Sequence, residues 1–298
     1  MEADKPVTPW LRWVGGKRAV ADKLVGEIMA TRPVLYIEPF LGGGAVALAM
    51  PRHVSKLLVD VNHTLIESWW AVRQFPIALV TQLRNIEQYY GDGKDGYLDA
   101  RKRFNEMILV ERELWLERAA MLMYLNARCF NGLWRTNSQG LFNVPFGSLT
   151  NPRRIETDEV VRAGQAIKHC SVRSDHYVRV LGAEATRRVN AIHGNRERML
   201  TVLRGVAVYA DPPYDGTFDG YAKHGFTEND QIDLAELLHS YASMGASVWA
   251  NNSDTPLIRD LYDWAHIEEV SEQHSVGSTG KRRGKRGCLL IRGGRHGA

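Results

Sequence analysis

The stretch VLYIEPFLGGGAVALAMPRHVSKLLVDVN, residues 34–62, decides the fold. It opens with a short apolar strand over Val34–Ile37, turns through three glycines at 42–44 and continues into an apolar helical run. A second strand over Lys56–Val59 then ends at Asp60. A strand, a glycine-rich turn, a helix and a second strand form the first unit of a doubly wound parallel sheet. The sequence therefore predicts an α/β fold whose ligand site lies at the carboxyl ends of the strands.

Helical and sheet patterns divide the rest of the chain. Residues 15–29 and 228–243 show the spacing of amphipathic helices. Strand patterns return only late in the chain, in three short runs: 206–210, 246–250 and 287–292. We therefore predict a discontinuous sheet domain over 1–72 and 200–298, interrupted by a mainly helical insertion over 73–199.

The apolar run over 206–210 leads directly into the turn Asp211-Pro212-Pro213-Tyr214. The prolines end the strand, because each lacks an N–H and fixes its own φ. The Asp211 carboxylate, the Pro212 carbonyl and the Tyr214 ring suit a flat ring that carries an amino group, such as adenine or cytosine. Taken alone, these residues fit a strand-end turn with an Asp cap equally well.

The glycine-rich turn has two interpretations. Residues 42–47 fit the G-x-G-x-x-A fingerprint of dinucleotide-binding folds, which favours a nicotinamide-dependent dehydrogenase. The same glycines allow the backbone to approach the methionine portion of S-adenosylmethionine. Asp60 suits either ligand, because it is placed to accept hydrogen bonds from ribose hydroxyls. The segment Glu38-Pro39-Phe40 favours the second interpretation, since a carboxylate there repels a pyrophosphate and attracts an ammonium or sulfonium group.

Composition and cysteine usage are those of an ordinary globular protein. The 298 residues are 44% hydrophobic and 24% charged, and we expect neither a membrane span nor a signal peptide. The cysteines at 129, 170 and 288 form no CxxC pair. We therefore expect no zinc site, no disulfide framework and a reducing cytoplasm.

Positive charge is concentrated near the end of the chain. Residues 281–298 hold seven Lys and Arg and no Asp or Glu, so the other 280 residues have a net charge of −3. A basic run of this kind is either a solvated segment or a contact for nucleic-acid phosphates. Because the run precedes the last strand pattern, we expect Lys281, Arg282 and Arg283 to lie in a loop that faces a DNA backbone.

Several blocks of the chain resemble, in order, the signature motifs of bacterial and phage DNA adenine methyltransferases. The arrangement is the alpha type, in which the recognition domain is inserted between the cofactor motif and the catalytic motif. The main blocks are Trp13–Lys17, Glu38–Gly44, Asp60–Asn62 and Asp211–Tyr214, with further likeness at Phe226–Thr227 and Asn252–Thr255. Within the insertion, Tyr124–Asn126, Asn131–Arg135 and Gly140–Gly147 resemble the recognition hairpin of members that methylate GATC, here residues 129–147.

The resemblance implies a Rossmann-like methyltransferase fold and S-adenosylmethionine as cofactor. It implies methyl transfer to the exocyclic amine of an adenine that is flipped out of double-stranded DNA. The implied cofactor contacts are Trp13, Lys17, Glu38, Pro39, Phe40, Gly42, Gly44, Asp60 and Asp211. The implied catalytic residues are Asp211, Pro212, Pro213 and Tyr214, with the Tyr214 ring packed on the flipped base.

The resemblance also implies GATC as the target. The implied readers are Arg12, Phe130, Asn131, Leu133, Arg135 and Pro145. Arg135 can donate two parallel hydrogen bonds to guanine O6 and N7, whereas Leu133 and Pro145 offer apolar surface to a thymine methyl group. We expect double-stranded DNA as the partner, no metal and a monomer. The alternatives are a relaxed-specificity or RNA-acting relative, a catalytically silent DNA-binding protein on the same fold, and the dehydrogenase.

Overall fold

The computed structural model describes residues 7–110, 112–147, 152–191, 199–216, 225–270 and 287–294. Its helices are α1 (Ala21–Ala30), α2 (Ala45–Ala49), α3 (His63–Gln74), α4 (Pro76–Tyr90), α5 (Lys94–Val110), α6 (Trp115–Arg128), α7 (Thr157–Ala166), α8 (Tyr177–Ala191), α9 (Glu228–Ser243) and α10 (Pro256–Leu261). Its strands are β1 (Leu35–Glu38), β2 (Ser55–Asp60), β3 (Ser171–Ser174), β4 (Val206–Ala210), β5 (Ser247–Ser253), β6 (His266–Val270) and β7 (Cys288–Gly294).

Within the described residues the strands form one seven-stranded sheet in the order β3-β2-β1-β4-β5-β7-β6. The first five strands in this order are parallel, and β7 is antiparallel to both of its neighbours. The chain builds outward from β1 to β3 and then crosses to β4 on the other side, so the order reverses between β1 and β4. A crevice forms at the carboxyl ends of two strands related in this way. Glu38 ends β1 and Asp211 follows β4, so both residues lie at this crevice.

Burial on both faces explains why the central strands are apolar. Every residue of β4 and β5 is buried, as expected for strands covered by helices on either side. One apolar cluster contains buried side chains from helices α1–α7, among them Leu24 and Trp69. A second cluster includes Leu234 and Leu238 of α9. The predicted strand over 206–210 and the predicted helix over 228–243 are confirmed with the same bounds. The helix predicted from residue 15 begins only at Ala21.

The predicted insertion differs from the structure at its carboxyl end. Residues 171–174 form β3, which pairs in parallel with β2 along the edge of the sheet. The N–H of Asp175 also donates a hydrogen bond of 3.1 Å to the carbonyl of Asp60. Part of the predicted insertion over 73–199 therefore belongs to the sheet. Three of the four residues SVRS are polar and the strand is partly exposed, so it lacks the apolar pattern that identifies a buried strand.

Across the described ranges, no helix combines the length and the apolar character that crossing a membrane requires.

Candidate active site and recognition loop

The Asp-Pro-Pro-Tyr turn brings together residues that are far apart in the sequence. Asp211 Oδ1 lies 2.9 Å from Lys17 Nζ, which in turn lies 5.2 Å from the centre of the Tyr214 ring. The Lys17 ammonium group also donates a hydrogen bond of 2.8 Å to the carbonyl of Gly15. Because the Lys17 side chain is only 5% exposed, its charge is balanced by these groups rather than by water. Lys17, Asp211 and Tyr214 thus form one polar site at the crevice.

A pair of buried amides fixes the backbone on both sides of Tyr214. Gln231 Nε2 donates a hydrogen bond of 2.9 Å to the Pro213 carbonyl, and Gln231 Oε1 accepts one of 2.9 Å from Asn252 Nδ2. Asn252 Oδ1 accepts a further hydrogen bond of 2.9 Å from the N–H of Asp215. We call Gln231 and Asn252 the amide clamp. The clamp binds the Pro213 carbonyl and leaves the Pro212 carbonyl out of its hydrogen bonds.

The glycine turn joins the ends of β1 and β2. The N–H of Gly42 donates a hydrogen bond of 2.9 Å to Asp60 Oδ2, and the N–H of Asn62 donates one of 2.9 Å to Asp60 Oδ1. Gly42 and Gly44 have φ values of 49° and 61°, in the left-handed region that favours glycine. A Cβ on Gly42 would lie 2.8 Å from Trp13 Cδ1, so the indole ring covers the turn closely. Trp13, Asp60 and the glycines therefore share one small volume.

Three carboxyl groups, those of Glu38, Asp60 and Asp211, lie at the ends of adjacent strands. Glu38 accepts a hydrogen bond of 2.7 Å from the Tyr36 hydroxyl. Burial raises the pKa of Glu38 to about 8, with the charges of Asp211 and Asp60 adding to the effect and the Tyr36 hydrogen bond opposing it. Burial also raises the pKa of Asp60, against its two backbone hydrogen bonds. Glu38 is therefore mostly protonated at neutral pH, so the repulsion of a pyrophosphate that we expected from an ionised Glu38 is weak.

Aromatic rings border the crevice. The Phe40 ring lies 5.1 Å from the Tyr177 ring and 5.7 Å from the Phe226 ring, between centroids. Pro39, the residue before Phe40, is buried. Tyr177 follows β3, which adjoins the Asp60 end of β2. Sequence reasoning missed Tyr177, because none of the motifs identified in the sequence covers its segment.

Residues 129–147 form a loop that we call the recognition loop. Two isolated antiparallel bridges, Cys129 with Phe146 and Thr136 with Phe142, join the two arms of the predicted hairpin without a regular strand ladder. Three of the predicted readers, Phe130, Asn131 and Pro145, are exposed. Leu133 is partly buried.

Arg135 is exposed but held in place. Its Nε donates a hydrogen bond of 2.8 Å to Asn143 Oδ1, and its Nη2 donates one of 3.1 Å to the Asn143 carbonyl. These bonds occupy only some of the guanidinium N–H donors. Arg12, the other predicted arginine reader, is also exposed and lies beside Gly132 of the loop.

Two further predictions concern the basic run and a metal site. Lys281, Arg282 and Arg283 lie outside the described residues, so their predicted contact with DNA stays a prediction. Over the part of the chain that the structure describes, no group of three or more His, Cys, Asp or Glu residues is arranged to hold a metal ion.

The sheet order and the position of the polar site place this protein among enzymes with a Rossmann-like methyltransferase fold. The family model for D12 class N6 adenine-specific DNA methyltransferases matches residues 13–276. The chain belongs to this family and is an adenine-specific DNA methyltransferase. This finding confirms the class of enzyme predicted from the resemblance and gives the dehydrogenase no support.

Named relatives agree with the family. The chain is 32% identical over 287 residues to the Retron Ec67 DNA adenine methylase of Escherichia coli, a match that covers 96% of this chain and 91% of the relative. It is 28% identical over 286 residues to the type II methyltransferase M1.LlaDCHI of Lactococcus lactis subsp. cremoris, covering 93% and 92%. A DNA adenine methylase of Vibrio cholerae serotype O1 is 29% identical over 287 residues, covering 94% of both chains.

Sequence reasoning missed the polar residues that support the site. Asn252 and Asn126 stand in blocks that the resemblance identified, but their sequence contexts assign them no contact. Gln231 lies in an amphipathic helix, and no local pattern distinguishes it from a surface glutamine. Only the fold shows that these buried amides meet the backbone of distant segments.

Proposed function

We propose that this protein transfers the methyl group of S-adenosylmethionine to the exocyclic amine of a flipped adenine in double-stranded DNA, within the sequence GATC. The observation that carries the proposal is the joint position of Lys17, Asp211 and Tyr214 at the crevice, next to the glycine turn. A carboxylate acceptor and an aromatic face beside a backbone cradle suit a reaction between a purine amine and a bound methyl donor.

The residues around the glycine turn fit S-adenosylmethionine. The absence of a Cβ on Gly42 lets the Trp13 indole lie directly against the turn, and each Asp60 oxygen retains acceptor capacity for a ribose hydroxyl. Glu38 offers a buried carboxyl group, and a bound ammonium group would favour its charged form and lower its raised pKa. When bound, the cofactor supplies an electrophilic methyl group. The residues that would hold it are Trp13, Lys17, Glu38, Pro39, Phe40, Gly42, Gly44, Asp60 and Asp211.

The chain's own part in the chemistry is orientation of the amine. Adenine's exocyclic amine is a poor nucleophile, because its lone pair is delocalised into the ring. Hydrogen bonds to the Asp211 carboxylate and to the Pro212 carbonyl favour a pyramidal nitrogen whose lone pair is free to attack. The ion pair with Lys17 fixes the Asp211 carboxylate in position. After transfer the nitrogen is acidic and loses its proton readily, so orientation and charge stabilisation matter more than basicity.

Tyr214 supports the flipped base. An adenine inside a duplex is out of reach of the site, and flipping it costs a few kcal/mol. Stacking of the flipped base on an aromatic ring offsets about 1–3 kcal/mol of the flipping cost. The amide clamp holds the backbone before and after Tyr214, which keeps the ring in place for the incoming base.

The recognition loop supports GATC as the site. The bonds from Asn143 restrict the Arg135 guanidinium while leaving other N–H groups for guanine O6 and N7. Phe130 and Pro145 lie side by side, because the Phe130 N–H donates a hydrogen bond of 2.9 Å to the Pro145 carbonyl. This pair offers an aromatic wedge next to an apolar surface for a thymine methyl group. We also propose that the recognition unit comprises helices α4–α7 with this loop, and that β3 and α8 belong to the sheet unit.

Labelled S-adenosylmethionine and matched oligonucleotides test the proposal. We expect the label to enter a GATC duplex at N6 of adenine. Much less label should enter a duplex of the same composition without GATC, or RNA that carries the corresponding sequence GAUC. Calorimetry with S-adenosylmethionine and with NAD provides the cofactor control. Equal labelling of both duplexes contradicts the sequence claim, and saturable NAD binding with no response to S-adenosylmethionine contradicts the cofactor.

A further inference from the structure

The side-chain amide of Asn126 ties the Arg12 backbone to the recognition loop. Asn126 lies in α6 and is 4% exposed. Its Oδ1 accepts a hydrogen bond of 2.8 Å from the Arg12 N–H, and its Nδ2 donates bonds of 2.9 Å to the Arg12 carbonyl and 3.1 Å to the Gly132 carbonyl. The amide thus pairs with both backbone groups of Arg12, as a neighbouring strand would, and uses its second N–H on the loop.

Close packing strengthens this connection. Gly132 has a φ of 64°, and a Cβ added there would lie 2.5 Å from Arg12 Cβ. The loop backbone therefore lies directly against the Arg12 side chain. One residue further along, the Trp13 ring lies 6.2 Å from the Trp134 ring with an interplanar angle of 22°. Residues 12–13, which we call the shared segment, contact the loop at two successive positions.

The shared segment also contacts the glycine turn. Cβ atoms on Gly42 and Gly43 would lie 2.8 Å from Trp13 Cδ1 and 3.1 Å from Trp13 Cβ. A ligand that binds against the glycine turn therefore also lies against Trp13, and Trp13 is covalently joined to Arg12. Because Asn126 fixes the Arg12 backbone to Gly132, a restraint on Trp13 extends to the recognition loop.

We propose that Asn126 is a positioning residue that couples the cofactor site to DNA recognition through the shared segment. The inference rests on the proposed function, since it takes S-adenosylmethionine as the ligand at the glycine turn and GATC as the sequence read by the loop. Binding of the cofactor against Trp13 orders Arg12 and the loop. By thermodynamic linkage, each ligand then raises the affinity of the other by the same factor.

Two variants of Asn126 remove the connection to different extents. Asn126→Ala leaves one N–H and two carbonyls without their partner in a buried place, which destabilises the contact strongly. Asn126→Asp keeps the acceptor for the Arg12 N–H and loses both donors. Its new carboxylate oxygen faces the two carbonyls in a buried place, so this variant opposes the contact by repulsion where the alanine variant only deletes it.

The loop contains a matched control. Asn105 of α5 binds the loop in the same manner from the other side, accepting a hydrogen bond of 2.9 Å from the Phe142 N–H and donating one of 3.0 Å to the Phe142 carbonyl. None of these bonds involves the shared segment. Asn105→Ala therefore loosens the loop while keeping all three hydrogen bonds of Asn126.

The experiment measures the affinity for a fluorescent GATC duplex by anisotropy, with and without saturating S-adenosylhomocysteine as an unreactive cofactor. For the wild type we expect the cofactor to tighten DNA binding about fivefold or more. For both Asn126 variants we expect the ratio of DNA affinity with cofactor to DNA affinity without it to fall to within about twofold of one. For Asn105→Ala we expect weaker DNA binding under both conditions with the wild-type ratio. Calorimetry with S-adenosylhomocysteine confirms that each variant retains a folded cofactor site.

Three results overturn the inference: a wild-type ratio near one, Asn126 variants that keep the wild-type ratio, or an equal loss of the ratio in Asn105→Ala. Failure of the proposed function has a different signature. The wild type would then not bind S-adenosylhomocysteine, or would bind GATC and unrelated duplexes equally in the presence of the cofactor.

Discussion

The carboxylate of Asp211 has a fixed neighbour in Lys17, 2.9 Å away, and is proposed to share the target amine with the Pro212 carbonyl. Asp211→Ala deletes one of the two acceptors for that amine. We expect the single-turnover rate of methyl transfer to fall about a hundredfold or more, because loss of one well-placed group commonly has that effect. S-adenosylhomocysteine binding, measured by calorimetry, should be retained in part.

Asp211→Asn is the matched variant, since it keeps the shape and one acceptor oxygen, loses the charge that pairs with Lys17 and exchanges the other oxygen for an amide donor. It should therefore lose less activity than Asp211→Ala. A near wild-type rate for Asp211→Ala would show that the catalytic acceptor lies elsewhere.

Glu38 makes stability depend on pH. Its folded pKa of about 8 lies above the ordinary value of 4.5, so the folded protein keeps a proton that the unfolded chain releases. The contribution of Glu38 to the free energy of unfolding therefore falls as pH rises from about 5 to 8. Glu38→Gln abolishes this titration while keeping an acceptor for the Tyr36 hydroxyl. Urea unfolding of both proteins should show that the stability of the variant relative to wild type increases with pH over this interval.

Asp60 and Asp211, whose negative charges add to the raised pKa of Glu38, are present in both proteins, so the comparison differs only in the residue at position 38. A difference in unfolding free energy that is the same at about pH 5.5 and about pH 8.5 would contradict the assignment of a raised pKa to Glu38.

At the scale of elements, the amide clamp links α9 and β5 to the catalytic turn. Gln231→Ala and Asn252→Ala each free one side of the Tyr214 backbone. We expect kcat to fall and the fluorescence of 2-aminopurine at the target position, which rises when that base is flipped, to decrease. S-adenosylhomocysteine binding should change little. Because both amides act through one chain of hydrogen bonds, the double variant should be scarcely worse than either single variant.

Asn251→Ala is the matched control for the clamp. Asn251 is a buried amide on the same strand, but it bonds to the Tyr209 hydroxyl and the Leu289 carbonyl rather than to the turn. It should lower stability without lowering the 2-aminopurine signal in the folded protein. Equal signals in the clamp variants and in Asn251→Ala would refute a positioning role for the clamp.

The elements also show how far sequence reasoning reaches. The strand over 206–210 and the helix over 228–243 have apolar patterns set by local burial, so their bounds were predictable. The edge strands β3 and β6 are short and partly exposed, so no apolar run marks them. They are strands because a neighbouring strand offers free hydrogen-bonding groups, which a local pattern does not reveal.

The recognition loop illustrates the same limit. The resemblance implied a hairpin over 129–147, and long-range anchors determine the shape that it takes. Tyr97 and Arg101 both donate hydrogen bonds to the Val144 carbonyl, and Asn105 binds the Phe142 backbone. These contacts from α5 explain why two isolated bridges replace a regular ladder.

At the scale of the whole molecule, the site is assembled from four separate segments, each with its own motif. Residues 38–44, 60 and 211–214 meet because β2, β1 and β4 are neighbours whose carboxyl ends share one edge, and residues 13–17 join them through the contacts of Trp13 and Lys17. The doubly wound pattern and the motifs together were sufficient to predict this meeting. The ion pair of Lys17 with Asp211 was not predictable, since both residues were expected to contact the cofactor.

The basic run gives a prediction about the entire DNA-binding surface. Replacing Lys281, Arg282 and Arg283 with alanine should weaken binding to all duplexes alike, because phosphate contacts carry no sequence information. The slope of log affinity against log salt concentration should flatten by up to about 0.9 for each lost contact. An unchanged slope would identify the run as a solvated segment.

The most direct test of the central claim is a map of N6-methyladenine in the genome of a host that lacks its own adenine methylation and expresses this protein. For the wild type we predict methylated adenines concentrated in GATC. For Arg135→Ala we predict continued methylation with discrimination at one base pair reduced by about 1–3 kcal/mol, so that sites differing from GATC at that position become methylated. Methylated adenines in every context, with no enrichment of GATC in the wild type, would contradict the proposed recognition, and a genome without N6-methyladenine would contradict the account of the active site.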